Sequence, residues 1–219
     1  MYDLDEVRRM QAKLPRRFLD LMRRLGGAET NTILRAYEDL AECYGALHRH
    51  YHTLEHIAHT MVEFDRVAQF MSQPDCVEAA LFYHDVQDGE VESALYWQRT
   101  VQNLRLVDDR DTIFEVVRLI RLTEKHETHS VADMDGALCI DIDMSILGVE
   151  PSGYLRYRTR VREEYRAHDD SAWAKGRSER FLIPTLARPR AFLTDHYERR
   201  LGAQARANLE AELAEYRRM

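Results

Sequence analysis

The chain has 219 residues, with 31 Lys plus Arg against 38 Asp plus Glu, so its formal net charge is −7. This balance argues against a dedicated nucleic-acid binder, which would carry a strongly basic face. A hydrophobic share of 45% with 32% charged residues excludes a disordered chain, and no apolar run approaches the ~20 residues that a membrane span needs.

Hydrophobic residues recur at steps of three and four along most of the chain, which predicts helices almost throughout. The first pattern covers 4–25, and Pro15 should kink or split it. Two glycines at 26–27 end this pattern, and Thr30 or Asn31 can cap the next helix. The predicted helices that follow are about 30–45, 53–72, 75–85, 90–105, 109–124, 133–148, 151–168, 172–183 and a last one from Pro189 to the C-terminus.

The domain organisation predicted from these patterns is simple. Strictly alternating strand patterns, repeats and flexible linkers are absent, and only 9 Gly and 5 Pro interrupt the chain. We therefore predict one all-α domain over 1–219, with a helical extension at 1–27 and a core with C-terminal helices at 28–219. The apolar stripe of Leu201–Tyr216 can pack on its own chain or on a second copy, so a homo-oligomer is compatible with the sequence.

The cellular compartment is predicted from the cysteines and the amino terminus. The three cysteines, Cys43, Cys76 and Cys139, lie far apart and form no Cys-x-x-Cys pair. Such isolated cysteines are typical of reduced, buried thiols. The amino terminus shows no apolar core of a signal peptide. We expect a cytoplasmic protein.

Five of the ten histidines fall within twelve residues, in the segment HRHYHTLEHIAH. On a helix over 52–70, an apolar stripe that includes Ile57 and Met61 occupies one side, and His52, His56 and His59 occupy the other. Two imidazoles one turn apart can serve one polar site. A solvated polar face is the alternative interpretation.

The chain contains two His-Asp pairs, and their contexts differ. His84-Asp85 ends the apolar segment VEAALFYHDV, where a buried carboxylate needs a partner, and a metal ion is an effective one. His168-Asp169 lies in the polar run RAHDDSAW, so we expect it on the surface.

Two further segments supply candidates. Asp141 and Asp143 interrupt the apolar segment ALCIDIDMSILG, where an acid costs free energy unless it is paired or binds a ligand. Either of them can instead cap a helix or face solvent. His126 and His129 follow an apolar helix, and they are candidates either for the same cavity or for the surface.

The order His56, His84-Asp85 and a late Asp resembles the H…HD…D pattern of the HD superfamily of metal-dependent phosphohydrolases. The resemblance covers most of residues 30–213 and is closer to the predicted phosphohydrolases of bacteria. It rests on RHYHTLEHI, YHDVQDGEVESA, DIDMSILG, and the later VREEY and GR segments, which contain Arg162, Glu164, Tyr165, Gly176 and Arg177. YHTLEHI also resembles the YHNxxH motif of cyclic-nucleotide phosphodiesterases, with Thr53 in place of the Asn.

This resemblance implies a helical fold of the HD type and roles for individual residues. It implies His52 as a catalytic acid and His56, His84 and Asp85 as metal ligands. Asp143 completes the ligand set, and Asp141 is the competing choice. A second set of histidine ligands cannot be assigned from the resemblance.

The residue types fit a divalent transition metal (Mn, Fe, Co, Ni or Zn), since imidazoles and carboxylates suit such ions and no cysteine ligand is present. The resemblance implies a hydrolase for a small phosphomonoester or phosphodiester, such as a nucleotide, and the chemistry of the site fits that assignment, with Arg49 as a candidate phosphate clamp. Arg162 and Arg177 are weaker clamp candidates. The alternatives are a di-iron enzyme that activates oxygen, with His126 or His129 as added ligands, and a non-catalytic sensor of a metal or nucleotide.

Overall fold

A computed structural model of the protein describes residues 3–126 and 132–218. Over these ranges the chain is helical and contains no strand, which confirms the all-α prediction. None of the helices in these ranges has the length and apolar character required to cross a bilayer. The α-helices are α1 (Leu4–Gln11), α2 (Leu14–Leu25), α3 (Thr30–Tyr44), α4 (Leu54–Val67), α5 (Pro74–Tyr83), α6 (Glu90–Leu104), α7 (Arg110–Leu122), α8 (Met134–Met144), α9 (Pro151–Glu164), α10 (Asp170–Arg177), α11 (Ile183–Ala187), α12 (Asp195–Tyr197) and α13 (Ala203–Tyr216).

Several helix ends differ from the predicted ones. The predicted split is present, since α1 ends at Gln11 and α2 begins at Leu14. Pro15 lies in the first turn of α2, where its missing N–H is not needed. The residue that precedes α3 is Glu29, which makes no side-chain cap, so the predicted cap at Thr30 or Asn31 is wrong. Short 3-10 turns follow α4 and α8, at Ala68–Phe70 and Ser145–Gly148, and π-helical turns precede α11 and α13, at Ser178–Leu182 and Glu198–Gly202.

Backbone contacts group the chain into two compact units, Asp3–Asp143 and 144–218, here called the N-terminal and C-terminal units. The division lies at the end of α8, where the helix continues directly into a 3-10 turn. No linker marks this point, which is why the sequence showed no boundary. Helices α1 and α2, from the predicted extension at 1–27, belong to the N-terminal unit.

Helices α4 and α5 form the interior of the N-terminal unit. Every residue of α4 from His56 to Phe64 is buried, and so is every residue from Cys76 to His84 in and just after α5. Helix α1 packs on α4, and α2 packs on both α3 and α5. One side of α4 carries Ile57 and Met61 into the apolar core, and the buried His56 and His59 lie on the other side of the helix.

The C-terminal unit is organised around α13. The side-chain amide of Asn208 donates to the carbonyls of Leu147 and Val149, each at 2.8 Å, and so attaches α13 to the 3-10 turn after α8. Gly148 permits the close approach, because a Cβ atom there would lie 2.4 Å from Cβ of Leu201. The apolar stripe of the last helix, which includes Leu209, is buried within its own chain.

Candidate metal centre

Four side chains of the N-terminal unit converge on one point. His56, His84, Asp85 and Asp143 each direct one nitrogen or oxygen atom to it, and these four atoms all lie within 4.8 Å of one another. The Nε2 atoms of the two histidines are 3.0 Å apart. Each nitrogen also lies 3.1 to 3.3 Å from one oxygen of each of the two carboxylates. This group can hold a metal ion.

The spacing fits a single ion. Donors bound at about 2.1 Å to one ion lie about 3.0 Å apart at right angles and about 3.4 Å apart at tetrahedral angles. The histidine–histidine and histidine–carboxylate distances fall between 3.0 and 3.3 Å. Two imidazole nitrogens and two carboxylate oxygens also form a donor set that suits divalent transition metals.

His56 lies in the first turn of α4, and His52 lies before the helix. Thr53 is the N-cap, and its hydroxyl oxygen accepts a hydrogen bond from the backbone N–H of Glu55 at 3.3 Å. The expectation that His52 belongs to the same helix as His56 is therefore wrong, because the backbone at Thr53 is extended. His52 reaches the site from the preceding loop, with its Nε2 3.9 Å from Oδ2 of Asp85.

His84 and Asp85 immediately follow the last turn of α5. Nδ1 of His84 lies 3.0 Å from the carbonyl oxygen of Leu81 and, as the protonated nitrogen, donates to it. This hydrogen bond directs Nε2 at the cluster, which is the usual arrangement of a histidine that binds a metal. The imidazole of His84 is thus oriented by its own helix.

Between the two competing acids, the structure brings Asp143 to the site. Its Oδ1 lies 3.3 Å from Nε2 of both His56 and His84. Asp141 is buried but does not belong to the group of four. Residues two apart on a helix point about 200° away from each other, so only one of the two can face the histidines.

Charges within the cluster shift the ionisation of its members strongly. Burial opposes the charged form of His84, but the Asp85 and Asp143 carboxylates outweigh burial and raise the pKa of His84 well above its usual range. Burial also opposes ionisation of Asp85 and Asp143, but His84 and the hydrogen bonds from His56 and His84 hold the pKa of both acids well below its usual range. The ionised carboxylates are ready to bind a cation, and binding would displace a proton from His84.

Two other histidines were candidates for the same cavity. Nε2 of His126 lies 3.5 Å from Oδ2 of Asp143, whose other oxygen, Oδ1, is the one near His56 and His84. His126 has a positive φ of 51°, a conformation that histidine adopts more readily than most residues. His129 lies outside the described residues.

The predicted phosphate clamps have protein partners in the structure. The Arg49 guanidinium is buried and bonds to backbone carbonyls of His52 and Asp85. In the C-terminal unit, Arg162 pairs with Asp170 and with two backbone carbonyls. Arg177 is buried against Glu212 and donates to the hydroxyl of Tyr157. Its guanidinium also packs over the ring of Phe181. Their roles as phosphate ligands stay predictions.

The second His-Asp pair has a structural place. Asp169 is the N-cap of α10 and accepts a hydrogen bond from the backbone N–H of Ala172 at 2.8 Å. Both His168 and Asp169 are exposed, as their polar context predicted.

The sequence did not single out Glu90 or Tyr44. Burial raises the pKa of Glu90 above its usual value, and the charge of Asp85 raises it further, so this glutamate belongs to the electrostatic surroundings of the site. The sequence signal that could have identified Glu90 is its place in the GEVESA segment, just after His84-Asp85. Tyr44 donates its hydroxyl to the carbonyl of Phe82 at 2.9 Å, and nothing in the sequence pointed to that contact.

Comparisons of the chain with protein-family models, curated proteins and solved structures found no match. Any proposal about the function therefore rests on the residues of the site.

Proposed function

We propose that the protein is a metal-dependent phosphohydrolase of the HD type, which acts on a small phosphomonoester or phosphodiester such as a nucleotide. The observation that carries this proposal is the convergence of His56, His84, Asp85 and Asp143 on one point. Buried groups of this kind are stable when they share a cation, because an unpaired buried charge is costly.

The four side chains would hold Mn, Fe, Co, Ni or Zn, and each can offer one donor. When bound, such an ion polarises a phosphoryl group and lowers the pKa of water toward ~7. The contribution of the protein is to orient the donors. The hydrogen bond from His84 to Leu81 does so for one imidazole.

His52 is the proposed proton donor to the leaving oxygen. About a third of its side chain is exposed, so a substrate can reach it, whereas His56 is almost fully buried. Its Nε2 lies 3.9 Å from a carboxylate oxygen of Asp85, so the imidazole is next to the proposed metal ligands. Histidine exchanges protons near neutral pH, as a general acid must.

The first test is elemental analysis of the protein purified without chelator, beside Asp85→Ala and the matched control Asp169→Ala. We expect about one transition metal per chain in the wild type and in Asp169→Ala, and none in Asp85→Ala. Equal retention in both variants would contradict the choice of His84-Asp85. Absence of metal from the wild type, even after addition of Mn or Co, would overturn the proposal.

The second test is turnover of phosphate esters by the metal-loaded protein and its His52→Asn variant. We expect the variant to keep its metal and to lose most activity on alkyl phosphates, because these leaving groups need a proton. Nitrophenyl esters should suffer less. A uniform loss on both would contradict the role of His52 as the acid.

One observation supports a second candidate, a di-iron enzyme that activates oxygen. Nε2 of His126 lies 3.5 Å from Oδ2 of Asp143 and would add a nitrogen donor next to the group of four. This candidate predicts two irons per chain in the same elemental analysis. Metal binding without turnover on any phosphate ester would instead favour a sensor.

A further inference from the structure

Arg49 joins two segments of the site that are distant in sequence. The guanidinium lies in the loop between α3 and α4, and only 6% of its side chain is exposed. Nη1 donates to the carbonyl of Asp85 at 2.5 Å and to the carbonyl of His52 at 3.2 Å. One side chain therefore holds the backbone of a proposed metal ligand and that of the proposed acid.

The same contact completes the C-terminal end of α5. The last carbonyls of a helix lack partners within the helix and need other donors. Here Leu81 accepts from the ring of His84, Phe82 from Tyr44, and Tyr83 from the N–H of Val86. Arg49 donates to the carbonyl of Asp85, in the turn that follows α5. A positive charge is also favourable at this end of a helix.

The geometry of the guanidinium leaves little for a substrate. Its carbon lies 5.4 Å from the centre of the Tyr44 ring, and Nη2 lies 3.4 Å from Oδ1 of Asp88. Nε is buried, so solvent and substrate do not reach it. The side chain is directed into the protein.

We infer that Arg49 is a positioning residue, which sets the Asp85 carboxylate and the His52 imidazole relative to each other through their backbones. This inference rests on the proposed metal centre and replaces the role of Arg49 as a phosphate clamp. Lysine does not substitute for it, because the N–H bonds of Nη1 that meet both carbonyls are fixed in the guanidinium plane, and an ammonium group has no second nitrogen to face Asp88.

The test compares Arg49→Lys and Arg49→Met with the control Arg16→Met, which removes an exposed arginine of α2 paired with Asp20. Calorimetry measures the binding of Mn²⁺ to each protein. Inorganic phosphate is then titrated into each protein at saturating Mn²⁺. For both Arg49 variants we expect Mn²⁺ affinity to fall about 10- to 100-fold, as for other residues that orient metal ligands. Phosphate affinity at saturating Mn²⁺ should stay within about twofold.

A phosphate clamp would give the opposite pattern, with unchanged Mn²⁺ affinity and a tenfold or greater loss of phosphate affinity, and that result would overturn the inference. An equal loss of Mn²⁺ affinity in Arg16→Met would overturn it as well. A wild-type protein that does not bind Mn²⁺ would refute the metal centre itself, which is a separate outcome.

A measurement without metal tests the inference independently. The amide hydrogens of His84 and Val86 bond to the carbonyls of Ala80 and Tyr83 at the end of α5. Arg49→Lys is the more conservative of the two variants, because it keeps the positive charge. In its metal-free form, these amides should exchange with solvent at least several-fold faster than in the wild type. Unchanged exchange would show that Arg49 does not hold this turn.

Discussion

At the scale of single residues, the choice between Asp141 and Asp143 shows what a metal centre requires of a helix. Both acids lie in α8, and nearly all of its neighbouring positions are buried. A helix that is apolar on every side gives no pattern from which to derive its rotation. Only the position of α8 beside His56 and His84 decides that Asp143 faces them.

Asp143→Asn should therefore weaken the binding of Mn²⁺ far more than Asp141→Asn. The first change removes the oxygen that lies 3.3 Å from both histidines, and we expect a loss of at least 10- to 100-fold. The second leaves all four donors in place. Calorimetric titration of each variant, with circular dichroism to confirm helical content, measures the difference, and a greater loss in Asp141→Asn would contradict the assignment.

At the scale of helices, the site depends on elements that contribute no ligand to it. Phe18 of α2 is fully buried, and its ring centre lies 5.3 Å from that of Phe82 and 6.1 Å from that of Tyr83. These two residues come directly before His84-Asp85. Because α1 packs on α4 and α2 packs on α5, residues 3–27 support both helices that lead to the metal ligands.

Phe18→Ala should destabilise the protein by about 3–5 kcal/mol, the usual cost of removing a buried phenyl ring. Phe114→Ala, which removes a half-exposed ring from α7, is the matched control and should cost less than about 1 kcal/mol. Urea denaturation followed by circular dichroism measures both values. Similar urea midpoints for the two variants would show that α2 is peripheral, as the predicted helical extension at 1–27 suggested.

At the scale of the whole molecule, stability should depend on pH through buried histidine. His59 is buried one turn after His56 on α4, and burial lowers its pKa from 6.5 to about 4, although the nearby Glu63 opposes this shift. The unfolded chain takes up a proton on this imidazole below about pH 6.5, whereas the folded protein takes it up only near pH 4. Acidification through this range therefore favours the unfolded state.

We expect His59 to cost the metal-free protein about 2 kcal/mol of folding free energy between about pH 7 and about pH 5. His59→Gln removes the titrating group, so this part of the loss should disappear. The exposed His168→Gln should keep the wild-type pH dependence. Chemical denaturation at several pH values measures the slopes, and identical slopes for the wild type and His59→Gln would refute the prediction.

The sequence by itself determined the all-α class, most helix positions and the residue types of the site. These features are local: helix periodicity and the split at Pro15 depend on neighbouring residues. The exposed character of His168-Asp169 likewise followed from the polar run around it. His84 and Asp85 were also singled out, because they end an apolar segment where a buried charge needs a partner. His56 was singled out by its place on the histidine side of the predicted helix, and the resemblance added its role as a ligand.

Only the tertiary structure decided how these residues are combined. The contact between His56 and His84 joins positions 28 residues apart, and Arg49 reaches a carbonyl 36 residues away. The selection of Asp143, the place of His52 outside α4 and the buried orientation of Arg49 all depend on how one helix rotates and packs against another. Local sequence patterns do not contain those angles, because each helix acquires its rotation from the neighbours on which it packs.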